Sequence, residues 1–412
     1  MTTAGGVAPA ADVVIVGAGI VGLATARAVL QDDASAHVVI VEKEGHVAAH
    51  QSGHNSGVIH AGVYYKPGSS KAALCRDGRA AMIDFCAEHG IDHELCGKVV
   101  VATSTEELPR LEQLRDRSVA NGLEVHLLDR RSLAELEPHA DGLAALHVPA
   151  TGIVDFREVC RVLAADVVAR GAELRLGTAV TSLEETDDGV IVGTTGGVLR
   201  GRALVNCAGL HSDRVARLVG ADHQDTGRTA ILPFRGEYHE LVPDRAHLVR
   251  HLIYPVPDPR FPFLGVHFTR DIAGQVHAGP NAVLALGRES YRWGTIVPGD
   301  VREAVGRAAT WRLARRHYRT GAAEVLRSLS TTAFVRALQR LVPDVRAEDL
   351  VRAGAGVRAQ AVAPDGSLLD DFAFMQTRHT LHVLNAPSPA ATASLAIGHH
   401  IAGRVRALAA GR

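Results

Sequence analysis

The chain has 412 residues, more than one hydrophobic core usually organises, so two domains are expected. Hydrophobic residues are 47% and charged residues 22% of the chain, an ordinary balance for a soluble globular protein. The formal net charge of −1 makes no case for nucleic acid as a partner. Cys75, Cys86, Cys96, Cys160 and Cys207 are scattered, with no C-x-x-C or finger spacing. That argues for reduced thiols, a cytoplasmic setting and no metal finger. The N-terminal residues lack the basic start and apolar core of a signal peptide. The apolar run from Val13 to Leu30 carries glycines and Arg27, which suit a βαβ unit better than a membrane span.

That unit organises the chain. A β-branched strand from Asp12 runs into Gly17, Gly19 and Gly22, which fill G-x-G-x-x-G. The run to Leu30 has helical spacing, and a second strand, Val38 to Val41, ends on Glu42. Gly17 permits the tight turn, Gly19 admits a pyrophosphate to the backbone, and Gly22 lets helix and strand pack closely. Ile20 and Val21 open the helix, where free N–H groups point at an anion. Glu42, followed by Lys43, suits the ribose hydroxyls of a dinucleotide.

The segment Gln51 to Lys71 interleaves Gly53, Gly57, Gly62 and Gly68 with His54, His60, Tyr64, Tyr65 and two lysines. Gln51, Ser52, Gly53, His54, Asn55 and Ser56 are its cofactor-binding candidates. A plain surface loop is the competing reading, but Val58, Ile59 and Val63 are too apolar for one.

Helices are expected over 72–90, 105–121 and 156–170, with a strand over Gly97 to Ala102. Glu173 to Leu183 and Val190 to Val198 read as a β-meander around Asp187-Asp188-Gly189. A buried strand from Ala203 ends in small residues, Cys207, Ala208 and Gly209, a pattern suited to close approach of a ligand. Asp213 then opens a helix, where a carboxylate suits the dipole. Residues 230–290 are β-rich, and 300–340 are helical. Arg312, Arg315, Arg316 and Arg319 share one helix face bordered by Trp311 and Tyr318. That face reads either as a solvated basic surface or as a peripheral contact with an anionic membrane. Near the C-terminus, Gly354 to Gly366 is glycine-rich, and Pro389 is expected just inside a last helix whose N-terminus is a second anion site.

These motifs carry a resemblance. The chain resembles the FAD-dependent oxidoreductases of the D-amino-acid oxidase and glycerol-3-phosphate dehydrogenase group, and within it is most similar to the L-2-hydroxyglutarate oxidase/dehydrogenase family. The resemblance rests on Gly17 to Gly22 with Glu42, Ser52 to Tyr65, Pro233 to Tyr238, and His251 to Pro259. Gly279 to Ala285, Gly356 to Val362 and Asn385 to Thr392 complete it. It spans nearly the whole chain; the basic segment 300–320 departs most from the family pattern.

The resemblance implies an α/β fold of two domains: a Rossmann-type FAD-binding domain and a mixed-sheet substrate domain, as in D-amino-acid oxidase. FAD would be held by 1–80, 146–215 and 346–412, and substrate by 81–145 and 216–345. Val180, Gly356, Arg358, Pro389, Ala390, Ala391 and Thr392 join the cofactor-binding candidates. The implied reaction oxidises the C2 hydroxyl of L-2-hydroxyglutarate to 2-oxoglutarate, the C2 hydride passing to flavin N5 while a base takes the hydroxyl proton. The alternative substrate is another 2-hydroxy acid, an amino acid or an amine. Electrons would leave to oxygen, a quinone or an electron-transfer protein, in the cytoplasm or on the cytoplasmic membrane face. A nicotinamide dehydrogenase shares the fingerprint but needs neither the second glycine–histidine loop nor the C-terminal motif.

A dicarboxylate needs cationic anchors, and arginine binds both oxygens of a carboxylate. Arg358 is the leading clamp; Arg235, Lys71, Tyr65, Tyr254 and His267 are further candidates, each with a structural salt bridge or core contact as its competitor. His60 is the expected base. It lies between Ile59 and Ala61-Gly62, where burial favours a neutral imidazole. His267 is the next candidate, and His50 and His54 are expected nearer the cofactor.

Overall fold

A computed structural model describes residues 10–220, 229–258, 264–292 and 294–409; the last residue of the His251–Pro259 motif lies outside them. Two large sheets share the molecule. The first runs in the order Val180–Thr186, Gly189–Thr194, Gly197–Asn206, Ala11–Val16, Val38–Val41 and Glu173–Arg175. Its centre is parallel, with Ala11–Val16 between Gly197–Asn206 and Val38–Val41. Thr380–Asn385 adds parallel to the end of Gly197–Asn206. These central strands are runs of Val, Ile and Leu because both faces are buried, one under helices and the other against Leu183, Val190 and Val192 of the antiparallel strands.

Helix Ile20–Asp32 is buried nearly all round, and its small residues admit a close neighbour. A Cβ on Gly398 of the last helix would lie 2.5 Å from the Ala24 backbone. That helix runs Ser394–Ala409, so Pro389 is not inside it. Pro389 lies in a preceding turn, where the Pro387 and Pro389 carbonyls accept from Ala390 and Ala393. The turn is pressed onto helix Ser70–Glu88: a Cβ on Gly78 would meet Ala393 Cα at 2.5 Å.

The second sheet runs Val283–Leu284, Ala230–Leu241, Val276–Gly279, His267–Arg270, Leu252–Pro255, Lys98–Ala102, Ala144–Val148 and His126–Asp129. Leu350–Val362 pairs antiparallel with Ala230–Leu241 along nearly its full length. The expected boundary after residue 345 therefore falls just before a strand that bonds into the second sheet. A small third sheet pairs Val58–Ile59 and His93–Glu94 with Gly152–Val154.

Two other expectations change. Glu173–Arg175 lies parallel to Val38–Val41, so the antiparallel meander starts only at Val180. Helix Ala308–Leu329 is interrupted at His317, with φ −120° and ψ 23°, which breaks the expected alignment of four arginines. Arg312 folds back to the Pro364 carbonyl, and the side chain of Arg319 lies outside the described residues.

Candidate functional site

One cavity of about 760 Å³ runs between the sheets, within the range of small-molecule and cofactor sites. Gly17, Gly19, Ile20, Val21, Glu42 and Lys43 line one end; Thr178 to Thr181, including Val180, and Cys207, Ala208 and Gly209 flank it. Gly17 has φ +104°, and a Cβ there would meet the Cys207 carbonyl oxygen at 2.7 Å, so only glycine fits this turn. Gly19, the residue before helix Ile20–Asp32, has no side chain to cap it, and the first turn carries no acid. Its opening N–H groups thus suit an anionic ligand. Ser52 Oγ accepts from Ile20 N–H at 2.9 Å, tying the second loop to this helix. Glu42 is 9% exposed, and its carboxylate accepts from the N–H groups of Ala18 at 2.8 Å and Glu44 at 3.0 Å.

Gln51, Ser52, His54, Asn55 and Ser56 continue the wall, and Gln51 Oε1 accepts from Ala359 N–H at 2.8 Å. That bond joins the loop to strand Leu350–Val362. A Cβ on Gly356 would lie 2.5 Å from the His54 carbonyl oxygen, so two backbones meet there without room for a side chain. Pro389, Ala390, Ala391 and Thr392 line the cavity from the C-terminal turn. The extent of the cavity, the helix opening on Gly19, the glycine turn and the oriented acid suit a dinucleotide with a ring system at its far end.

That far end gathers His60, Lys71, Tyr254, His267 and Arg358, with Tyr64, Tyr65, Tyr238 and Gln360. Burial pushes the His60 imidazole down to about 3, and the charges of Lys98, His267, Arg358 and Lys71 add to this. Burial likewise pushes His267 down to about 3, against the hydrogen bond to Gly265, which favours the charged form. His267 Nδ1 lies 2.8 Å from the Gly265 carbonyl oxygen, and its ring sits 4.0 Å from that of Tyr254. A carbonyl only accepts, so Nδ1 carries the proton and Nε2 is left as an acceptor. Arg358 reaches the Tyr238 hydroxyl. The lining residues include two carboxylates, Glu42 at the glycine end and Asp370 near Lys71.

Four candidates lie off the cavity wall. Gly22 packs helix against turn: a Cβ there would meet the Gly17 oxygen at 2.0 Å. Gly53 is pressed against the Ala48 carbonyl. Asp213 turns away from the cavity into a buried ion pair with Arg288, Nη2 to Oδ2 3.0 Å, and also meets Arg217. Arg235 is 7% exposed and pairs with Glu237 at 2.9 Å, donating as well to the Arg292 carbonyl. An acid at a helix start and an arginine in a motif have the same sequence appearance whichever way they face; burial and the partner decide.

Sequence reasoning missed Tyr291 and Lys98. Tyr291 stacks on His54 at 4.3 Å and its hydroxyl meets His50 Nδ1 at 3.0 Å. Beside it Glu289 bonds Lys43 at 2.6 Å and His211 at 2.8 Å. The His211 bond comes first in holding the Glu289 carboxyl down at about 2. Lys98 opens a strand, K-V-V-V-A, that is otherwise apolar and wholly buried. A lone lysine in such a run was the available signal.

Comparison with known proteins agrees with this geometry. A family model described as FAD dependent oxidoreductase matches residues 12–404. L-2-hydroxyglutarate dehydrogenase of Indibacter alkaliphilus is 46% identical over 94% of this chain and 96% of its own length. The protein of that name from Escherichia coli K12 is 44% identical over 97% of this chain and 94% of its own. Human mitochondrial L-2-hydroxyglutarate dehydrogenase is 42% identical over 96% and 88%. Among solved structures, L-alpha-glycerophosphate oxidase of Mycoplasma pneumoniae with FAD bound shares the fold at TM-score 0.77 and 21% identity, covering 98% of this chain and 96% of that one. The chain belongs to the DAO family of FAD dependent oxidoreductases.

Proposed function

We propose that this chain oxidises the C2 hydroxyl of L-2-hydroxyglutarate to 2-oxoglutarate at the histidine end of the cavity. The observation that carries this is the company of His60, His267, Arg358 and Lys71 on the wall of one cavity, with Asp370 its lining acid. The relatives named for this substrate support the choice of dicarboxylate. FAD, when bound, supplies the two-electron acceptor for the C2 hydride at its N5. Arg358 holds a carboxylate with its guanidinium fork, and Lys71 offers a second cation. His60 takes the hydroxyl proton, its burial keeping the acceptor nitrogen free at neutral pH. Tyr64, Tyr65 and Tyr254 wall the site and limit water.

A second reading gives the base role to His267, because the Gly265 carbonyl fixes its tautomer and leaves Nε2 as acceptor. Anaerobic mixing of the FAD-loaded protein with L- and D-2-hydroxyglutarate tests the function. Rapid bleaching of flavin absorbance by the L isomer is expected. Bleaching only by another 2-hydroxy acid, an amino acid or an amine overturns the substrate.

The division into cofactor and substrate domains is also part of this reading. Its support is the parallel sheet of the two cofactor-binding ends and the separate second sheet, with Leu350–Val362 serving the latter. For the electron acceptor, a quinone reached by peripheral membrane contact is the reading drawn from the exposed rings of Trp311 and Tyr318 beside Arg315 and Arg316. No helix among the described residues is long and apolar enough to cross a membrane.

A further inference from the structure

Lys98 is 1% exposed, and every residue of its strand is buried. Its Nζ lies 4.6 Å from the Tyr64 ring centroid and 5.0 Å from that of Tyr254. Both rings line the histidine end of the cavity. Among the described residues no carboxylate is within ion-pair distance of Lys98. The titratable groups around it are Lys71, Cys75 and Arg79 from helix Ser70–Glu88 and His60 and Tyr64 from the loop before it. Tyr254, His267 and Arg358 complete the set from neighbouring strands. None is an acid at neutral pH: burial pushes the Cys75 thiol up to about 12 and raises both tyrosines.

An ammonium in this position has lost its water and gained two ring faces but no counter-ion. Burial accordingly pushes Lys98 down to about 7, with Cys75 acting weakly the other way. The missing counter-charge is what an anionic ligand brings.

We propose that Lys98 takes up a proton from solvent when a dicarboxylate enters the cavity, so that ligand binding and the charging of Lys98 are one linked event. Lys98 stands behind Tyr64 and Tyr254 and is a positioning residue: it acts on the ligand through its field and through the two rings. When the dicarboxylate leaves, the proton returns to solvent. The inference rests on the proposed dicarboxylate substrate.

Calorimetry of the FAD-loaded protein with glutarate tests it, since glutarate has both carboxylates but no C2 hydroxyl to oxidise. Titrations in two buffers of different ionisation enthalpy count protons taken up. At pH 8 wild type is expected to take up close to one proton per glutarate, falling towards zero at pH 6, where Lys98 is already charged. Lys98→Arg keeps its charge and should bind glutarate with little uptake. Lys98→Met should bind about tenfold or more weakly, again with little uptake. The flavin spectrum of each variant reports its fold.

Wild-type uptake and affinity retained in Lys98→Met overturn the inference, as does absence of uptake by wild type at pH 8. Either can occur while L-2-hydroxyglutarate still bleaches the flavin, which leaves the proposed function standing. A wild-type protein that neither binds glutarate nor is reduced by L-2-hydroxyglutarate overturns both.

Discussion

The backbone N–H of His60 donates to the hydroxyl of Thr392, 3.0 Å away, and that hydroxyl donates in turn to the Val58 carbonyl at 3.2 Å. The proposed base is therefore held by a turn at the far end of the chain. Thr392 is fully buried, so water does not take over the bonds of its hydroxyl. Thr392→Val keeps the shape and removes both bonds. It should cost about 1–3 kcal/mol for the His60 N–H and Val58 carbonyl left unpaired. Flavin reduction should slow as His60 loses its support, while Thr392→Ser retains most of the rate. Thermal melts and anaerobic stopped-flow on the three proteins check this; a Thr392→Val protein at wild-type speed would detach the turn from catalysis.

The two histidines separate by kinetics. His60→Gln should keep FAD and fold while flavin reduction slows about 100-fold or more, within the range that loss of a general base permits. Its pH–rate profile should also lose the limb that rises from acid. If His60→Gln reduces flavin at near wild-type speed and His267→Gln does not, the proton goes to His267 Nε2.

Much of the glycine-lined end of the cavity was legible because its signals are local. Gly17, Gly19 and Glu42 obey a spacing set by one βαβ unit, and a turn with φ +104° demands glycine in any context. The loop Gln51 to Lys71 was legible for a local reason too: glycines interleaved with Val58, Ile59 and Val63 do not make a solvated surface. The histidine end depends on contacts between segments far apart in sequence. Arg235 and Arg358 face each other's strands in an antiparallel pair, with Arg235 opposite Val357, yet one guanidinium turns to Glu237 and the other into the cavity. Nothing in either local sequence states that difference. The break at His317 was equally hidden, since residues 308–329 contain no proline to announce it.

That contrast between the two arginines is testable. Arg235→Ala leaves Glu237 buried without its guanidinium, although Asn281 and Ser328 still donate to it. A loss of roughly 3–5 kcal/mol of stability is expected from breaking a buried pair. Arg358→Ala is exposed to the cavity and should leave stability nearly unchanged. It should lower kcat/KM for L-2-hydroxyglutarate by a factor equivalent to about 2–5 kcal/mol. Urea unfolding and steady-state kinetics on both variants check the split; the opposite pattern would exchange their roles.

The helix Ala308–Leu329 presents Trp311 at 60% and Tyr318 at 63% exposure, beside Arg315 and Arg316. If this face meets an anionic membrane, the protein should co-sediment with vesicles containing phosphatidylglycerol at low salt. Binding should weaken at high salt and in an Arg315→Ser, Arg316→Ser double variant, because each basic residue contributes about 1 kcal/mol near such a surface. No binding at low salt leaves a solvated face.

The last prediction concerns acid stability. His60 and His267 hold folded values of about 3, against 6.5 for free imidazole. Above that free value both states are neutral and the histidines cost nothing. As the pH falls below it, the unfolded chain takes up protons that the folded protein refuses, so stability drops by up to about 1.4 kcal/mol per pH unit for each site. The loss continues until the pH reaches the folded value. Lys98 follows the same sign in a higher window, its folded value lying at about 7 against 10.5. Its cost grows as the pH falls through that interval and levels off below it. Two outcomes follow for the ligand-free, FAD-loaded protein. A His60→Gln, His267→Gln double variant should lose stability less steeply than wild type between pH 6.5 and 4, because glutamine does not titrate. Lys98→Met should be more stable than wild type at pH 7, since a well-packed apolar side chain replaces a buried unpaired charge. Urea unfolding across pH measures both. Parallel wild-type and double-variant curves would mean that the two imidazoles take up protons as readily in the folded protein as in the unfolded chain, so that burial does not hold them neutral below pH 6.5.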